Sequence, residues 1–148
     1  MVSEDSPDDR LSSVRTPAEI LRESRTIAMV GASPRPERPS HRVMRYLLEQ
    51  GYDVIPVRPA DCDEVLGVPC VRVLAEIDRP IDLVDVFRRP EFTPDVAREA
   101  VAAGAGAIWL QLGIVSAESR RIAEEARLDY VEDACTAVVH RHEVHGAA

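Results

Sequence analysis

Arginines gathered near the end of one apolar run are the residues best suited to chemistry in this chain. Residues 31 to 59 contain five arginines and three acidic residues, a net charge of +2, whereas the whole chain has a formal net charge of −8. Guanidinium groups bind phosphate oxygens through paired, charge-assisted hydrogen bonds. The segment therefore predicts a site for a polyanion. Its arginines are Arg35, Arg38, Arg42, Arg45 and Arg58, of which Arg42 and Arg45 are interpreted as solvated residues on the polar face of a helix.

The loop that begins at Gly31 has the composition of an anion cradle. It follows the apolar run IAMV and reads GASPRPERP before an amphipathic helix that we expect to start at Ser40. The first turn of a helix carries unpaired N–H groups and a partial positive charge, which together favour phosphate. Gly31 permits close backbone approach, and Ser33 and Ser40 offer hydroxyl donors. We expect Arg38, next to the helix start, to contact the ligand.

The arrangement of elements predicts a Rossmann-like, doubly wound α/β domain with five mostly parallel strands. Five short apolar runs recur at intervals of roughly 25 residues, and helical segments with one apolar stripe lie between them. Strands that are apolar on both faces need helices on both sides of the sheet. The runs are IAMV from residue 27, VIPV from 54, IDLVDVF from 81, AIWL from 107 and YVE from 130. An extra edge strand at VPCV and a helical turn at VLAEI are possible within residues 60–78.

Length and composition define one domain with two tails. We predict a flexible acidic tail at residues 1–15, a folded domain over 16–142 and a second tail at 143–148. A helix beginning at Thr16, with a Pro17 start and a Glu19 capping box, opens the domain. No apolar run is long enough for a membrane helix and no secretory signal is recognised, so a cytoplasmic location is expected. The three cysteines are expected to be reduced thiols.

Several function classes are disfavoured by the residues. The acidic balance argues against a general nucleic-acid binder. The HxHxxH run from His140 to His145 lacks partners of clear spacing and is interpreted as a tail rather than a metal site. His41 is interpreted as a surface residue, and Asp85 as an acceptor for backbone N–H groups of a neighbouring loop. No catalytic constellation is found, which favours a ligand-binding protein over an enzyme.

The residues alone leave two nucleotides open. The loop has one glycine where a common dinucleotide site has GxGxxG, and Arg58 occupies the place where such a site has a ribose-binding acid. An arginine there favours an additional ribose phosphate. NADP and coenzyme A (CoA) both carry one, and physics alone does not separate them.

A family resemblance favours CoA. The blocks VGAS, RPSHRVMRYLLEQGYDVIPVRP, LGVPCV, DLVDVFRR, GAGAIWLQLG and DACTAVVHRH closely resemble the small stand-alone CoA-binding proteins, which are similar to the CoA-binding domain of the succinyl-CoA synthetase α-subunit. They occur in that family's order and spacing between about residues 27 and 142. The resemblance implies CoA as the bound small molecule.

Carried over residue by residue, the resemblance implies a site at four strand ends. The first loop contacts the pyrophosphate with Arg38 and Ser40 beside it, the second strand end borders adenosine, and the third and fourth strand ends complete the crevice. Cys135 lies near this crevice and is either an inert buried thiol or one able to form a mixed disulfide with CoA. The implied binding residues are Gly31, Ala32, Ser33, Arg38, Ser40, Val57, Arg58, Pro59, Phe87, Arg88, Gln111 and Gly113.

The sequence therefore predicts a protein that binds CoA or an acyl-CoA through a strand-loop-helix phosphate site, without catalysis of its own. One alternative is an NADP-binding module or small oxidoreductase. Another is a CoA-responsive sensor or interaction protein. The protein partners, the oligomeric state and the pathway are not specified by these residues.

Overall fold

A computed structural model describes residues 14–145, which form one α/β unit. The seven strands are β1 (Thr26–Val30), β2 (Asp53–Val57), β3 (Glu64–Val65), β4 (Val68–Pro69), β5 (Leu83–Val86), β6 (Ala107–Leu110) and β7 (Asp129–Val131). The helices are α1 (Pro17–Glu23), α2 (Pro39–Glu49), α3 (Thr93–Ala102), α4 (Ala117–Glu125) and α5 (Thr136–Val139). Short 3₁₀ turns cover Leu74–Glu76 and Pro90–Phe92, and a π-helical turn covers His140–His145.

The main sheet is parallel and has five strands, as predicted. Its order is β2-β1-β5-β6-β7, so the chain moves outward from β1 to β2 and then crosses to the other side of β1. The order reverses between β1 and β5, which makes this the switch point where ligands of open α/β sheets bind.

Both faces of the sheet are buried, because its strands are apolar on nearly every residue. One layer contains Met29, Met44 and Trp109, and the other contains Val84, Ile108 and Ala97. The helices covering the first layer include α2 and α5, and α3 contributes to the second. The predicted Thr16 capping box is confirmed, since Thr16 Oγ1 accepts from Glu19 N and Glu19 Oε1 accepts from Thr16 N.

The segment over residues 60–78 contains a small hairpin. Strands β3 and β4 pair with each other outside the main sheet, and a single parallel bridge joins Val71 to Val57. Cys62 and Cys70 form a disulfide with a Cα–Cα distance of 6.0 Å. The expectation of three reduced thiols is therefore wrong for this pair, because the hairpin brings together two cysteines separated by eight positions.

The predicted domain boundaries stay predictions, and most of the N-terminal tail lies outside the described residues. Arg15 forms ion pairs with Asp129 at 2.7 Å and Glu23 at 3.1 Å. At the other end the π-helical turn continues through His145, beyond the predicted boundary at 142. Among the described residues, no helix is long and apolar enough to cross a membrane.

Gly31 makes the closest backbone approach at the switch point. It follows β1 with φ +88°, and a Cβ there would overlap the Phe87 carbonyl oxygen and lie 2.9 Å from the Phe87 carbonyl carbon. Gly31 N also donates to Val57 O at 3.1 Å. Only glycine fits both the left-handed conformation and the contact.

This contact predicts a larger stability loss for Gly31→Ala than for a matched glycine substitution. Gly51 also has a positive φ of +97°, but a Cβ there meets nothing within 4 Å. We expect Gly51→Ala to cost about 1–2 kcal/mol from backbone strain alone. Gly31→Ala should cost about 2–5 kcal/mol, because overlap with Phe87 adds to that strain. Urea unfolding of both variants measures this difference, and equal losses would show that the Phe87 contact is unimportant.

Candidate functional site

A crevice of about 810 Å³ lies at the carboxyl ends of β1, β2, β5 and β6. The first loop and the start of α2 form one wall, and the residues after β5 and β6 form the other. Its lining residues are Gly31, Ser33, Arg35, Arg38, Pro39, Ser40, Val43, Arg58, Phe87, Arg88, Arg89, Gln111, Leu112, Ile114 and Cys135. The crevice therefore coincides with the switch point of the sheet.

The first loop is held in place by short-range hydrogen bonds. Ser33 Oγ accepts from Arg35 N at 3.1 Å, and the His41 Nδ1 atom lies 3.0 Å from Ser33 O. His41 is buried on the first turn of α2. Its interpretation as a surface residue is wrong, because its ring connects the helix to the loop that precedes it. The spacing of eight residues between His41 and Ser33 gives no periodic signal in the sequence.

The start of α2 brings Ser40, with its hydroxyl group and backbone N–H, to the crevice. The helix starts at Pro39, one residue earlier than predicted, and its N-cap residue Arg38 makes no side-chain capping hydrogen bond. Ser40 is buried in the first turn and lines the crevice, while Arg38 is exposed at the rim. In the first turn Pro39 has no N–H and His41 N donates to Arg38 O at 3.1 Å. Among residues 14–145, Ser40 N is therefore the first-turn backbone donor left available to an anion.

Arg58 enters the crevice from the end of β2. Its backbone N donates to Val71 O at 2.8 Å, and its Nη1 donates to Ala32 O at 3.2 Å. Within residues 14–145, its buried Nε atom has no hydrogen-bond partner. A buried donor without a partner is costly, so a ligand acceptor at this position would be favoured.

The crevice is strongly basic. Five arginines line it, and its lining includes no acidic side chain among the described residues. They are Arg35, Arg38, Arg58, Arg88 and Arg89. The Arg88 guanidinium lies over the Phe92 ring at 4.7 Å, which holds it at the end of β5. Arg42 and Arg45 are exposed and do not line the crevice.

The structure brings together eight of the twelve residues proposed from the sequence. The eight that line the crevice are Gly31, Ser33, Arg38, Ser40, Arg58, Phe87, Arg88 and Gln111. The other four are outside the lining. Ala32 and Val57 are buried in the two apolar layers, Pro59 is exposed beyond β2, and Gly113 N donates to Asp133 Oδ1. Ligand contact at each of these positions stays a prediction.

Sequence reasoning missed several lining residues, including Val43, Arg89, Leu112 and Ile114. Val43 belongs to the apolar face of α2, which packs against the core. Leu112 and Ile114 flank the predicted Gly113, so the position of the loop after β6 is the only signal that could have identified them.

A buried polar network lies beneath the β6 side of the crevice. Gln111 Nε2 donates to Asp85 Oδ1 at 2.5 Å and to Thr136 Oγ1 at 3.0 Å, and Thr136 Oγ1 donates to Asp85 Oδ2 at 3.0 Å. Burial raises the pKa of Asp85 to about 7, opposed by these two hydrogen-bond donors. Asp85 therefore contacts side chains rather than the backbone N–H groups expected from the sequence. Asp82 has that role, since its Oδ2 accepts from Arg25 N and Thr26 N.

Comparison with known proteins identifies the domain. Residues 25–141 match the family described as CoA binding domain. The chain belongs to this CoA-binding domain family. The resemblance recognised in the sequence is thereby confirmed, and CoA binding is the property that the family supports.

Similar proteins match most of this chain. The YneT protein of Bacillus subtilis (strain 168) is 45% identical over 122 residues, which are 82% of this chain and 90% of that protein. A hypothetical protein from Pyrococcus horikoshii OT3 is 37% identical with a TM-score of 0.80, covering 93% of this chain and 91% of that chain. The cell-free ID.343 protein from Thermus thermophilus is 38% identical with a TM-score of 0.80, and the match covers 93% of this chain and 98% of that chain. The Rossmann-like fold of the CoA-binding domain family is thus present here.

The buried carboxyl of Asp85 predicts a specific pH dependence. Because its pKa is raised on folding, its favourable contribution to stability is complete below its unfolded pKa of about 4 and is lost as pH rises toward about 7. Asp85→Asn removes this titration. We expect the free energy of unfolding of Asp85→Asn, relative to wild type, to increase by on the order of 2–3 kcal/mol between pH 5 and pH 7.5. Urea unfolding at both pH values measures it, and a difference independent of pH would contradict the shifted pKa.

Proposed function

We propose that the crevice at the switch point binds CoA or an acyl-CoA through its phosphate groups, and that the protein performs no catalysis of its own. The observation that carries this proposal is a crevice lined by five arginines without an acidic side chain, in a chain of net charge −8. It agrees with membership of the CoA-binding domain family. CoA carries a pyrophosphate and a 3′-phosphate, so its charge matches that of the lining.

The phosphates are assigned to the basic wall of the crevice. The pyrophosphate lies against the loop from Gly31 to Ser33 and the start of α2, where the hydroxyl group and backbone N–H of Ser40 are available. Arg38 pairs with it from the rim. The 3′-phosphate accepts from Arg58, whose Nε atom has no partner among residues 14–145. Each phosphate thereby receives a guanidinium contact.

The pantetheine arm is assigned to the opposite side. After β6 the lining changes from arginines to Gln111, Leu112, Ile114 and the half-buried thiol of Cys135. Leu112 is 71% exposed, so this end of the crevice is open to solvent. An acyl group on the CoA thiol is compatible with apolar side chains and an open end.

The ligand ranking follows from this assignment. A ligand that binds only the native state raises stability by about 2.7 kcal/mol at a hundredfold excess over its Kd. We expect CoA to raise Tm more than NADPH, NADH or ATP at equal concentration, because the single-glycine loop departs from the common dinucleotide pattern. Thermal unfolding followed by circular dichroism makes the comparison. Equal or larger stabilisation by NADPH, with CoA inert, would favour the oxidoreductase alternative.

The two phosphate arginines have separable effects. Arg38→Ala and Arg58→Ala should each weaken CoA binding roughly ten- to hundredfold, because each removes a charge-assisted contact of about 1.5–3 kcal/mol. Dephospho-CoA lacks the 3′-phosphate, so Arg58→Ala should weaken its binding only slightly relative to wild type. Arg38→Ala should weaken the binding of dephospho-CoA as much as it weakens the binding of CoA. Calorimetric titration of both ligands measures these changes.

Arg45→Ala and Arg42→Ala are the matched controls, since both residues are exposed on α2 outside the crevice lining. Their removal should change affinity only through a long-range attraction that is screened by salt. If Arg45→Ala weakens binding as strongly as Arg38→Ala, the arginines act as a diffuse field and the residue assignments are wrong.

A further inference from the structure

A carboxyl group lies in the middle of an otherwise apolar row of the sheet. The strand registers align Met29 of β1, Asp85 of β5, Trp109 of β6 and Val131 of β7. The three neighbours of Asp85 in this row belong to the apolar layer under α2 and α5, and Asp85 itself is fully buried. A carboxylate in such surroundings is costly unless its oxygens accept hydrogen bonds. Gln111 and Thr136, which donate these hydrogen bonds, are therefore held with their donor atoms toward Asp85.

Asp85 and Thr136 engage both amide hydrogens of Gln111. One Nε2 hydrogen is donated to Asp85 Oδ1 and the other to Thr136 Oγ1. When Asp85 is ionised, the opposite amide orientation would place Gln111 Oε1 against a carboxylate oxygen, leaving two buried acceptors facing each other. Among residues 14–145, no donor is assigned to Gln111 Oε1, and the Gln111 side chain lines the crevice.

We propose that Asp85 and Thr136 are positioning residues that turn the carbonyl oxygen of Gln111 toward the crevice and make the end of β6 a subsite for a hydrogen-bond donor of the ligand. The inference rests on the proposed CoA function and specifies how the pantetheine half of the ligand is bound. The donor is an amide N–H, the group that recurs along the pantetheine arm.

The position of the subsite fits that half of the ligand. Strands β2 and β6 are three strand spacings apart in the sheet order, about 14 Å. Arg58 lies at the first of these strand ends and Gln111 at the second, so one ligand must be long enough to reach both. The other lining residues on this side, Leu112, Ile114 and Cys135, are uncharged, whereas Arg88 and Arg89 follow the neighbouring strand β5. A neutral amide is better suited to this end than a phosphate.

The backbone beside the network is anchored as well. Trp109 Nε1 donates to Ala134 O at 2.8 Å, directly before Cys135, and Thr136 follows it. Residues on both sides of Cys135 are thus bonded to buried side chains of β5 and β6. Thr136 therefore has a fixed position, from which its hydroxyl group accepts from Gln111 and donates to Asp85.

Two isosteric substitutions and a conservative control test the proposal. Gln111→Met removes the acceptor, and Thr136→Val removes the hydroxyl that fixes the amide, whereas Thr136→Ser keeps that hydroxyl. At pH 8 we expect CoA affinity to fall about tenfold in Gln111→Met, about threefold to tenfold in Thr136→Val, and less than twofold in Thr136→Ser. Adenosine 3′,5′-bisphosphate, which lacks pantetheine, should bind all three variants and the wild type equally.

The outcomes separate this inference from the proposed function. Equal CoA affinities of Thr136→Val and Thr136→Ser, or parallel losses for both ligands, would overturn the positioning role while leaving CoA binding intact. Failure of the wild type to bind either ligand would instead refute the proposed function, and the inference with it.

A measurement on the wild type keeps the proposal testable if a variant fails to fold. The side-chain amide of Gln111, observed by ¹⁵N NMR, should show two slowly exchanging Hε protons before and after saturation with CoA, because both are donated to buried oxygens. Loss of either internal hydrogen bond on CoA binding, with an amide hydrogen donated to the ligand instead, would overturn the proposal.

Discussion

The close approach of Gly31 to Phe87 is the contact on which the rest of the site depends. A glycine without a Cβ lets the backbone after β1 lie against the end of β5, at the point where the strand order reverses. The same turn bonds Gly31 N to Val57 O and so connects the end of β2. From there the loop reaches α2, where the His41 ring holds Ser33. The crevice is the space that these constraints leave open.

The two sides of the crevice differ in their charged groups. After β1, β2 and β5, arginines are brought together although their charges repel, a cost that is lowest in the presence of an anion. On the β6 side, one carboxyl is buried at the cost of a raised pKa and is stabilised by two neutral donors. A molecule with phosphates at one end and neutral amides at the other matches this division.

The sequence was sufficient for the fold and for most of the basic wall. Apolar runs, Gly31 and the arginine cluster are local signals, so the five strands and the crevice position could be predicted. Hydrogen bonds and disulfides between side chains of different segments could not be predicted from the sequence. The Gln111–Thr136–Asp85 network joins three segments, His41 turns inward at a helix start, and Cys62 pairs with Cys70 through a hairpin that has only weak local signals. These arrangements depend on tertiary packing rather than on periodicity.

A crystal structure of the protein with CoA tests the central claim most directly. The account predicts the pyrophosphate over the loop from Gly31 to Ser33 at the start of α2, the 3′-phosphate on Arg58, and the pantetheine arm beside Gln111. CoA bound elsewhere, for example at the cavity of about 420 Å³ lined by Leu74, Ile77 and Arg79, would contradict it.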